Sequence, residues 1–348
     1  MRRRDRHRHG GQEHGDARAR AVSRAIDLDP VGYGAMSLGG SYGAIDEASA
    51  QRLLASVVES GVRHLDTANI YGDGASEESI GRFLRGRRRD EVFLASKTGL
   101  SMGAGVGTRS ISGRPETIRA NIDDSLRRLG VEHLDLYYQH RIDPEVPVEE
   151  TVGAFAELVK AGKIRHVGLS EATGDELRRA HAVHPIAAVQ SEWSILSRDV
   201  EVHVVPTAAE LGIAVVPYSP VSRGLLTDGF DADAAAHDMR QAFPRFRPGN
   251  LPRNQAVAEE VRVVARRVGA ATEQVAIAWL LAKARGFGAS VSVIPGTRSI
   301  EHLRSNLGAT EVELAGDDMA ALETIAERVA GARTATPSWV SGGREGLL

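Results

Sequence analysis

Residues 62–97 read "VRHLDTANIYGDGASEESIGRFLRGRRRDEVFLASK". The stretch begins and ends with short apolar runs, "VRHLDTA" (62–68) and "VFLASK" (92–97), which a helical segment separates. Runs of this length and composition predict buried strands. A strand, a helix and a second strand form the unit from which parallel sheets are built. This stretch therefore predicts an α/β fold with a parallel sheet.

The same alternation continues along the chain from about residue 30. Apolar residues recur at i, i+3 and i+4 in "PETIRANIDDSLRRLG" (115–130) and "PVEETVGAFAELVKAG" (147–162), which predicts helices. Eight strand-helix units without a long insertion predict a single-domain (β/α)8 TIM barrel rather than an open sheet. The other candidate strands are "VGYGAMSL" (31–38), "HLDLYYQH" (133–140), "IRHVGLS" (164–170), "AAVQSEW" (187–193), "IAVVPYS" (213–219) and "VSVIPG" (291–296).

The predicted barrel occupies residues 28–330 and is flanked by two extensions. Residues 1–27 are rich in Arg, His and Gly and predict a disordered basic N-terminal tail, and residues 331–348 form a C-terminal extension. Clustered arginines can neutralise nucleic-acid phosphates, but we interpret the tail as a solvated extension. Residues 227–253 contain scattered Pro and Gly, which predicts a long loop over the C-terminal ends of the strands.

The composition excludes several classes of protein and site. The chain has 348 residues, a formal net charge of −3 and no cysteine, so disulfides, thiolate catalysis and cysteine-bound metals are excluded. The charge argues against a polyanion-binding body, and no stretch is apolar enough to predict a membrane span. The N-terminus lacks the apolar core of a signal peptide. We therefore expect a cytoplasmic monomer or homo-oligomer with no nucleic-acid or membrane partner.

Polar side chains occur where the candidate strands end. In a (β/α)8 barrel these ends meet at one face and carry the functional groups. Taken singly, each residue has a structural explanation, such as an ion pair, an exposed loop aromatic or a hydrogen-bonded core histidine. Their occurrence on successive strands instead predicts a site. The residues concerned are Asp66, Tyr71, Lys97, His140, Ser170, Gln190 and Tyr218.

Four of these residues are suited to proton transfer. A tyrosine hydroxyl has an ordinary pKa of about 10, and a buried ammonium beside it favours the phenolate. A buried carboxylate such as Asp66 keeps a lysine such as Lys97 charged. Tyr71 would then be the general acid, and a neutral His140 could orient a carbonyl oxygen. This set would protonate the oxygen as a hydride arrives at the carbonyl carbon, and protein side chains do not supply a hydride.

Seven motifs occur in order along the chain: "LDTANIYGDGASEESIG" (65–81), "VFLASKTG" (92–99), "SLRRLGVEHLDLYYQHRID" (125–143), "KIRHVGLSEA" (163–172), "VQSEWSILSRD" (189–199), "VVPYSPVSRGLLT" (215–227) and "VIPGTRSIEHLRSNLGA" (293–309). These motifs resemble the aldo-keto reductase superfamily, most closely its bacterial NADPH-dependent branch. The resemblance runs from about residue 28 to residue 328. It implies a (β/α)8 barrel that binds NADPH without a Rossmann domain.

The resemblance also implies roles for individual residues. The family's catalytic tetrad falls on Asp66, Tyr71, Lys97 and His140, with Tyr71 as proton donor and a small carbonyl compound as substrate. Ser170 and Gln190 would contact the nicotinamide carboxamide, and Tyr218 would stack on the ring. Backbone N–H groups at a helix start attract phosphate, which favours NADPH (NADP⁺) over NADH at the segment after the last strand. The full set of implied cofactor-binding residues is Met36, Ser170, Gln190, Tyr218, Ser219, Pro220, Arg223, Gly224, Leu225, Gly296, Thr297, Arg298, His302 and Asn306.

The chain departs from the family pattern ahead of the first strand, where "ARAVSRAIDLDP" (19–30) shows no clear β-hairpin, and at three places in the expected cofactor site. Glu171 stands where much of the family has Asn, and Ser305 with Asn306 replaces the usual Glu-Asn pair at the adenine. His302 stands where many members carry a second phosphate-binding arginine. These departures affect the expected cofactor contacts and leave the tetrad intact.

Three alternatives stay open at the level of the sequence. One is an NADPH-binding regulatory or sensor subunit with little turnover, by analogy with reductase-like potassium-channel subunits. Another is an aldolase in which Lys97 forms a Schiff base, which requires a neutral amine and is disfavoured by Asp66. A metal enzyme is disfavoured because no pair of histidines outside the tail has ligand spacing.

Overall fold

The computed structural model describes residues 26–102 and 109–346. Seven parallel strands form one sheet and lie side by side in the order in which they occur along the chain. Each strand of the sheet is followed by helical structure in the sequence, as the α/β prediction requires. The strands are β1 (Tyr33–Gly34), β2 (His64–Asp66), β3 (Phe93–Thr98), β6 (Leu134–Gln139), β7 (Ile164–Ser170), β8 (Ile186–Glu192) and β9 (Ala214–Tyr218).

An eighth segment brings the two edges of this sheet together. Val293 pairs with Val31 beside β1, while Val291 and Ile294 pair with Val215 and Tyr218 of β9, all in the parallel sense. These contacts are isolated bridges, so the predicted strand 291–296 completes a nearly closed (β/α)8 barrel without forming a regular strand. The predicted barrel is confirmed. The prediction of a strand over 31–38 is too long, because Ala35–Gly39 forms a 3-10 turn.

Helices surround the sheet and connect its strands. Helix α3 begins with Pro115 and ends before Gly130, whose φ of 65° gives the left-handed cap that stops a helix. The α-helices are α1 (Glu47–Glu59), α2 (Ala75–Leu84), α3 (Pro115–Leu129), α4 (Val148–Lys160), α5 (Gly174–Val183), α6 (Val204–Leu211), α7 (Ala232–His237), α8 (Leu251–Val268), α9 (Thr272–Phe287), α10 (Ile300–Gly308) and α11 (Gly316–Glu323). Within the described residues, no helix is long and apolar enough to cross a membrane.

Side chains alternate between the barrel interior and the layer under the helices. In β6, Leu136 and Tyr138 belong to the interior cluster, whereas Tyr137 packs in the outer cluster. The interior is narrow: a Cβ on Gly168 would lie 2.4 Å from the Tyr138 ring, so only glycine fits there. Ile26 packs in the same interior cluster, although it lies within the segment predicted as tail. Residues 1–25 lie outside the described residues.

Two segments lie outside the regular alternation. Strands β4 (Leu100–Met102) and β5 (Arg109–Ile111) form a separate antiparallel pair after β3. The predicted loop 227–253 contains α7 and two 3-10 turns, Met239–Ala242 and Pro244–Phe246. The prediction of an irregular loop is wrong for these parts. Their helical turns are too short to give the apolar periodicity by which a helix is recognised.

Candidate active site

The parallel register brings the predicted polar residues to one end of the barrel. Asp66 ends β2, Ser170 ends β7 and Tyr218 ends β9. Lys97 pairs with Tyr138 in the register between β3 and β6, and His140 directly follows β6. Ser170 pairs with Gln190 of β8. The C-terminal strand ends therefore collect these side chains as the sequence predicts.

A buried ion pair lies at the centre of this end of the barrel. Lys97 Nζ donates to Asp66 Oδ1 at 2.5 Å, to the Thr67 carbonyl at 2.8 Å and to Tyr71 Oη at 3.3 Å. The side chains of Lys97 and Asp66 are 0% and 2% exposed. Burial acts to lower the pKa of Lys97, but the Asp66 carboxylate and the Tyr71 hydroxyl raise it above its ordinary value. Lys97 is therefore a charged ammonium, unlike the neutral amine that a Schiff-base mechanism needs.

Asp66 also binds a second predicted residue. Its other oxygen, Oδ2, accepts from Gln190 Nε2 at 2.8 Å. The ammonium of Lys97 and the amide of Gln190 therefore share one carboxylate, which fixes both side chains. This contact holds the amide nitrogen of Gln190 against Asp66.

Tyr71 is held in the loop between β2 and α2. Its ring is perpendicular to that of His140, with centroids 5.9 Å apart and an interplanar angle of 84°. The backbone of His140 donates to the Thr98 carbonyl at 2.8 Å, and the side chain is buried. A Cβ on Gly39 would lie 2.5 Å from the Tyr71 backbone, so a glycine in the loop after β1 allows the two loops to touch. The four residues of the predicted tetrad therefore lie together: Lys97 contacts Asp66 and Tyr71, and His140 lies beside the Tyr71 ring.

The sequence did not point to Arg141, which contacts two of the predicted nicotinamide residues. Its Nη1 lies 3.2 Å from Ser170 Oγ, and its Nη2 lies 3.5 Å from Tyr218 Oη. The guanidinium also lies 5.9 Å from the Tyr218 ring centroid. Its position directly after His140, at the end of a predicted strand, is the feature of the sequence that could have identified it as a site residue.

Glu171, one of the departures noted in the sequence analysis, is buried beside Ser170. Its Oε1 accepts from Tyr218 Oη at 2.7 Å and from Arg333 Nη1 at 2.9 Å. Burial and the Glu171 carboxylate raise the pKa of Tyr218, so its hydroxyl stays protonated as the donor. Sequence analysis did not point to Arg333, which lies 162 positions further along the chain in the predicted C-terminal extension.

The loop after β9 has an unusual backbone. Ser219, Ser222 and Arg223 have φ values of 52°, 48° and 57°, a region that is costly for residues other than glycine and is concentrated at functional sites. The Arg223 side chain donates to Tyr42 Oη at 3.3 Å and lies 3.8 Å from the Phe243 ring centroid. Pro220 and Leu225 are buried, and Gly224 has a φ of 93°. The loop runs between the loop after β1 and the 3-10 turns before α8.

The segment after the eighth strand position leads into the N-terminus of α10. The Ser299 side chain accepts from the His302 backbone at 3.3 Å and caps this helix. Arg298 is exposed and donates to the Ala44 carbonyl at 3.1 Å. An exposed guanidinium beside a helix N-terminus is a favourable place for a phosphate group. Of the other predicted cofactor-binding residues in this segment and helix, Gly296 and His302 are exposed, and Thr297 and Asn306 are buried. Met36, which follows β1, is half-buried.

Comparisons with known proteins agree with this architecture. The family model described as aldo/keto reductase family matches residues 30–327. A probable aldo-keto reductase 1 from Glycine max is 39% identical over 299 residues, which cover 85% of this chain and 85% of the relative. The glycerol dehydrogenase AKR11B4 from Gluconobacter oxydans superposes with a TM-score of 0.78 at 27% identity, covering 90% of this chain and 97% of that one. The holo form of the aldo-keto reductase AKR11C1 from Bacillus halodurans gives a TM-score of 0.73 at 27% identity, covering 89% and 96%.

Proposed function

Because the chain belongs to the aldo/keto reductase family, and is thereby an oxidoreductase, we propose that it reduces the carbonyl group of a small aldehyde or ketone with NADPH. The observation that carries this proposal is the buried ammonium of Lys97 between Asp66 and the Tyr71 hydroxyl. Such an arrangement supplies a proton donor at the barrel end where the strand-end residues meet. The cofactor supplies the hydride when it is bound.

Each residue of the tetrad has a part in this reaction. Lys97 donates to Tyr71 Oη, so the hydroxyl proton of Tyr71 is free to point at a carbonyl oxygen. Asp66 keeps Lys97 charged despite its burial. The buried His140 lies edge-on to the Tyr71 ring and would orient the carbonyl oxygen next to the hydroxyl. Tyr71 would then protonate that oxygen.

The donor set at the barrel end fits a dinucleotide phosphate. The Tyr218 ring offers a stacking surface, and the Ser170 hydroxyl and Gln190 amide offer hydrogen bonds to a carboxamide. The loop from Ser219 to Leu225, which contains Pro220, Arg223 and Gly224 and has several residues with positive φ, would lie along the pyrophosphate. Gly296, Thr297 and Arg298, with His302 and Asn306 on α10, would hold the adenosine and its 2′-phosphate.

Arg298 is the residue that we expect to distinguish NADPH from NADH. Arg298→Ala removes the exposed cation at the start of α10 and is expected to raise the Kd for NADPH about tenfold or more, the effect of one charge-assisted hydrogen bond. The Kd for NADH should stay within about twofold, because NADH has no 2′-phosphate. Calorimetric titration of both cofactors measures the two constants.

Arg304→Ala is the matched control for this prediction. Arg304 is also exposed and lies further along the same helix, away from its N-terminus. Its removal should leave both constants unchanged. An equal loss of NADPH affinity in the two variants would mean that Arg298 acts only through the general charge of the surface.

The reductase proposal itself is tested by NADPH oxidation. Purified protein is mixed with NADPH and para-nitrobenzaldehyde, and the absorbance of the reduced nicotinamide is followed. Turnover that depends on the aldehyde supports the proposal. Tight NADPH binding without turnover on a broad panel of aldehydes and ketones would contradict it and favour the regulatory or sensor function.

A further inference from the structure

The C-terminal segment, residues 330–346, contacts the candidate active site, and the buried side chain of Arg333 makes the ion pair in this contact. Arg333 Nη1 and Nη2 donate to the two carboxylate oxygens of Glu171 at 2.9 and 2.8 Å, a bidentate ion pair. The two side chains are 6% and 0% exposed. Arg333 also lies 2.9 Å from Asp199 Oδ2. It lies beyond the residues that match the family model, which end at 327.

Glu171 is bound from several sides. Besides Arg333, its carboxylate accepts from Tyr218 Oη at 2.7 Å, from the Glu192 backbone at 3.0 Å and from the Ser341 backbone at 3.1 Å. Burial acts to raise the pKa of Glu171, but Arg333 and Arg141 outweigh it and lower the pKa to about 2. Glu171 is therefore a carboxylate at any pH at which the protein functions, and its charge must be balanced inside the protein.

Glu171 lies in a cluster of buried charges. Glu171, Asp199 and Glu192 supply three negative charges, and Arg333, Arg141, Arg223 and Arg245 supply four positive charges. Among the described residues, only Arg333 pairs directly with the Glu171 carboxylate, whereas Arg141 contacts Ser170 and Tyr218. Removing Arg333 therefore leaves the Glu171 carboxylate without its direct ion-pair partner and makes this region, next to two of the proposed nicotinamide contacts, more negative by one charge.

This charge matters because the two redox states of the cofactor differ in charge at the nicotinamide. The oxidised ring carries a positive charge and the reduced ring is neutral. An uncompensated carboxylate nearby attracts the oxidised form and leaves the affinity for the reduced form almost unchanged. A reductase that binds the oxidised cofactor too tightly releases it slowly after each turnover.

We propose that Arg333 is a positioning residue of the cofactor site: it neutralises Glu171 and fixes Tyr218 through it, so that NADP⁺ gains no excess affinity over NADPH. The C-terminal segment is in this way part of the cofactor site. The inference rests on the proposed function, because it assumes that the nicotinamide lies beside Ser170 and Tyr218.

The test is the ratio of the Kd for NADPH to the Kd for NADP⁺, measured by calorimetry on the full chain after the cofactor has been removed. Arg333→Gln is expected to raise this ratio about tenfold by tightening NADP⁺. Glu171→Gln should change it in the opposite direction, because Arg333 then keeps only Asp199 as an ion-pair partner and the region becomes more positive by one charge. The double variant removes one charge of each sign and should return the ratio to the wild-type value.

Arg344→Gln is the matched control. Arg344 anchors the same segment, but its guanidinium pairs with Glu176 at 2.9 and 3.1 Å and reaches only the backbone carbonyl of Glu171. Loosening the segment through Arg344 should leave the ratio unchanged. A ratio that shifts as far in Arg344→Gln, or that stays constant in both Arg333→Gln and Glu171→Gln, would overturn the proposal.

Two further outcomes are covered by the same set of variants. If Arg333→Gln does not fold, Glu171→Gln and the double variant still decide the question, since the first must shift the ratio and the second must restore it. If the wild-type protein binds neither form of the cofactor, the proposed function fails, and the inference fails with it. Binding of both forms with no effect of the charge changes overturns the inference alone.

Discussion

Tyr71→Phe is expected to lower kcat for NADPH-dependent aldehyde reduction by about 10²–10⁴-fold, the usual contribution of a positioned general acid. The variant loses one oxygen atom and keeps the ring that packs edge-on against His140. Lys97 also keeps its bonds to Asp66 and Thr67, so the ion pair remains in place. The Kd for NADPH should therefore stay within about twofold of the wild-type value. Steady-state kinetics and calorimetric titration measure the two quantities.

Tyr137→Phe makes the same chemical change away from the site. Tyr137 lies in β6 on the helix-facing side, against Phe155, and is fully buried. The kcat of the Tyr137→Phe variant is expected to match that of the wild-type protein. If Tyr71→Phe retained wild-type turnover, the proton would have to come from another group, and His140 would be the first to examine.

The fold was predictable because its signals are local. The unit from residue 62 to residue 97 contains both strands and the helix between them, and the same pattern repeats along the chain. Strands β7 and β8 differ from their predicted ranges by at most one residue at either end. The prediction was less successful at residues 291–296, where only isolated bridges form, and at 227–253, where short helical turns carry no periodic signal.

The candidate site likewise has contacts that the sequence predicts and contacts that it does not. Asp66 and Lys97 lie at the C-terminal ends of their strands and Tyr71 lies in the loop after β2. A barrel brings strand ends together, so the contacts of these residues follow from the predicted topology. The departure at Glu171 was visible in the sequence, but its consequence was not. Its partner Arg333 lies in a segment without regular structure, and no pattern in the sequence pairs two residues 162 positions apart. Tertiary packing alone sets this contact.

Lys97→Met is expected to lower the free energy of unfolding by about 3–5 kcal/mol and to abolish turnover. Methionine fills much of the space of the lysine stem, so the loss does not come from a cavity. It comes from Asp66, which remains buried at 2% exposure without its ammonium partner. Urea unfolding gives the stability, and the aldehyde assay gives the turnover.

The double variant Asp66→Asn with Lys97→Met separates stability from catalysis. Replacing both members of a buried ion pair with neutral groups is often close to neutral for stability, so most of the lost free energy should return. Turnover should stay lost, because no ammonium faces the Tyr71 hydroxyl. Lys163→Met makes the matched change at the exposed pair Lys163–Asp123 and should cost no more than about 1 kcal/mol of stability.

A double variant as unstable as Lys97→Met would mean that the lysine stabilises the barrel through other contacts, such as its bond to the Thr67 carbonyl. A double variant that regained turnover would remove Lys97 from the proposed proton transfer.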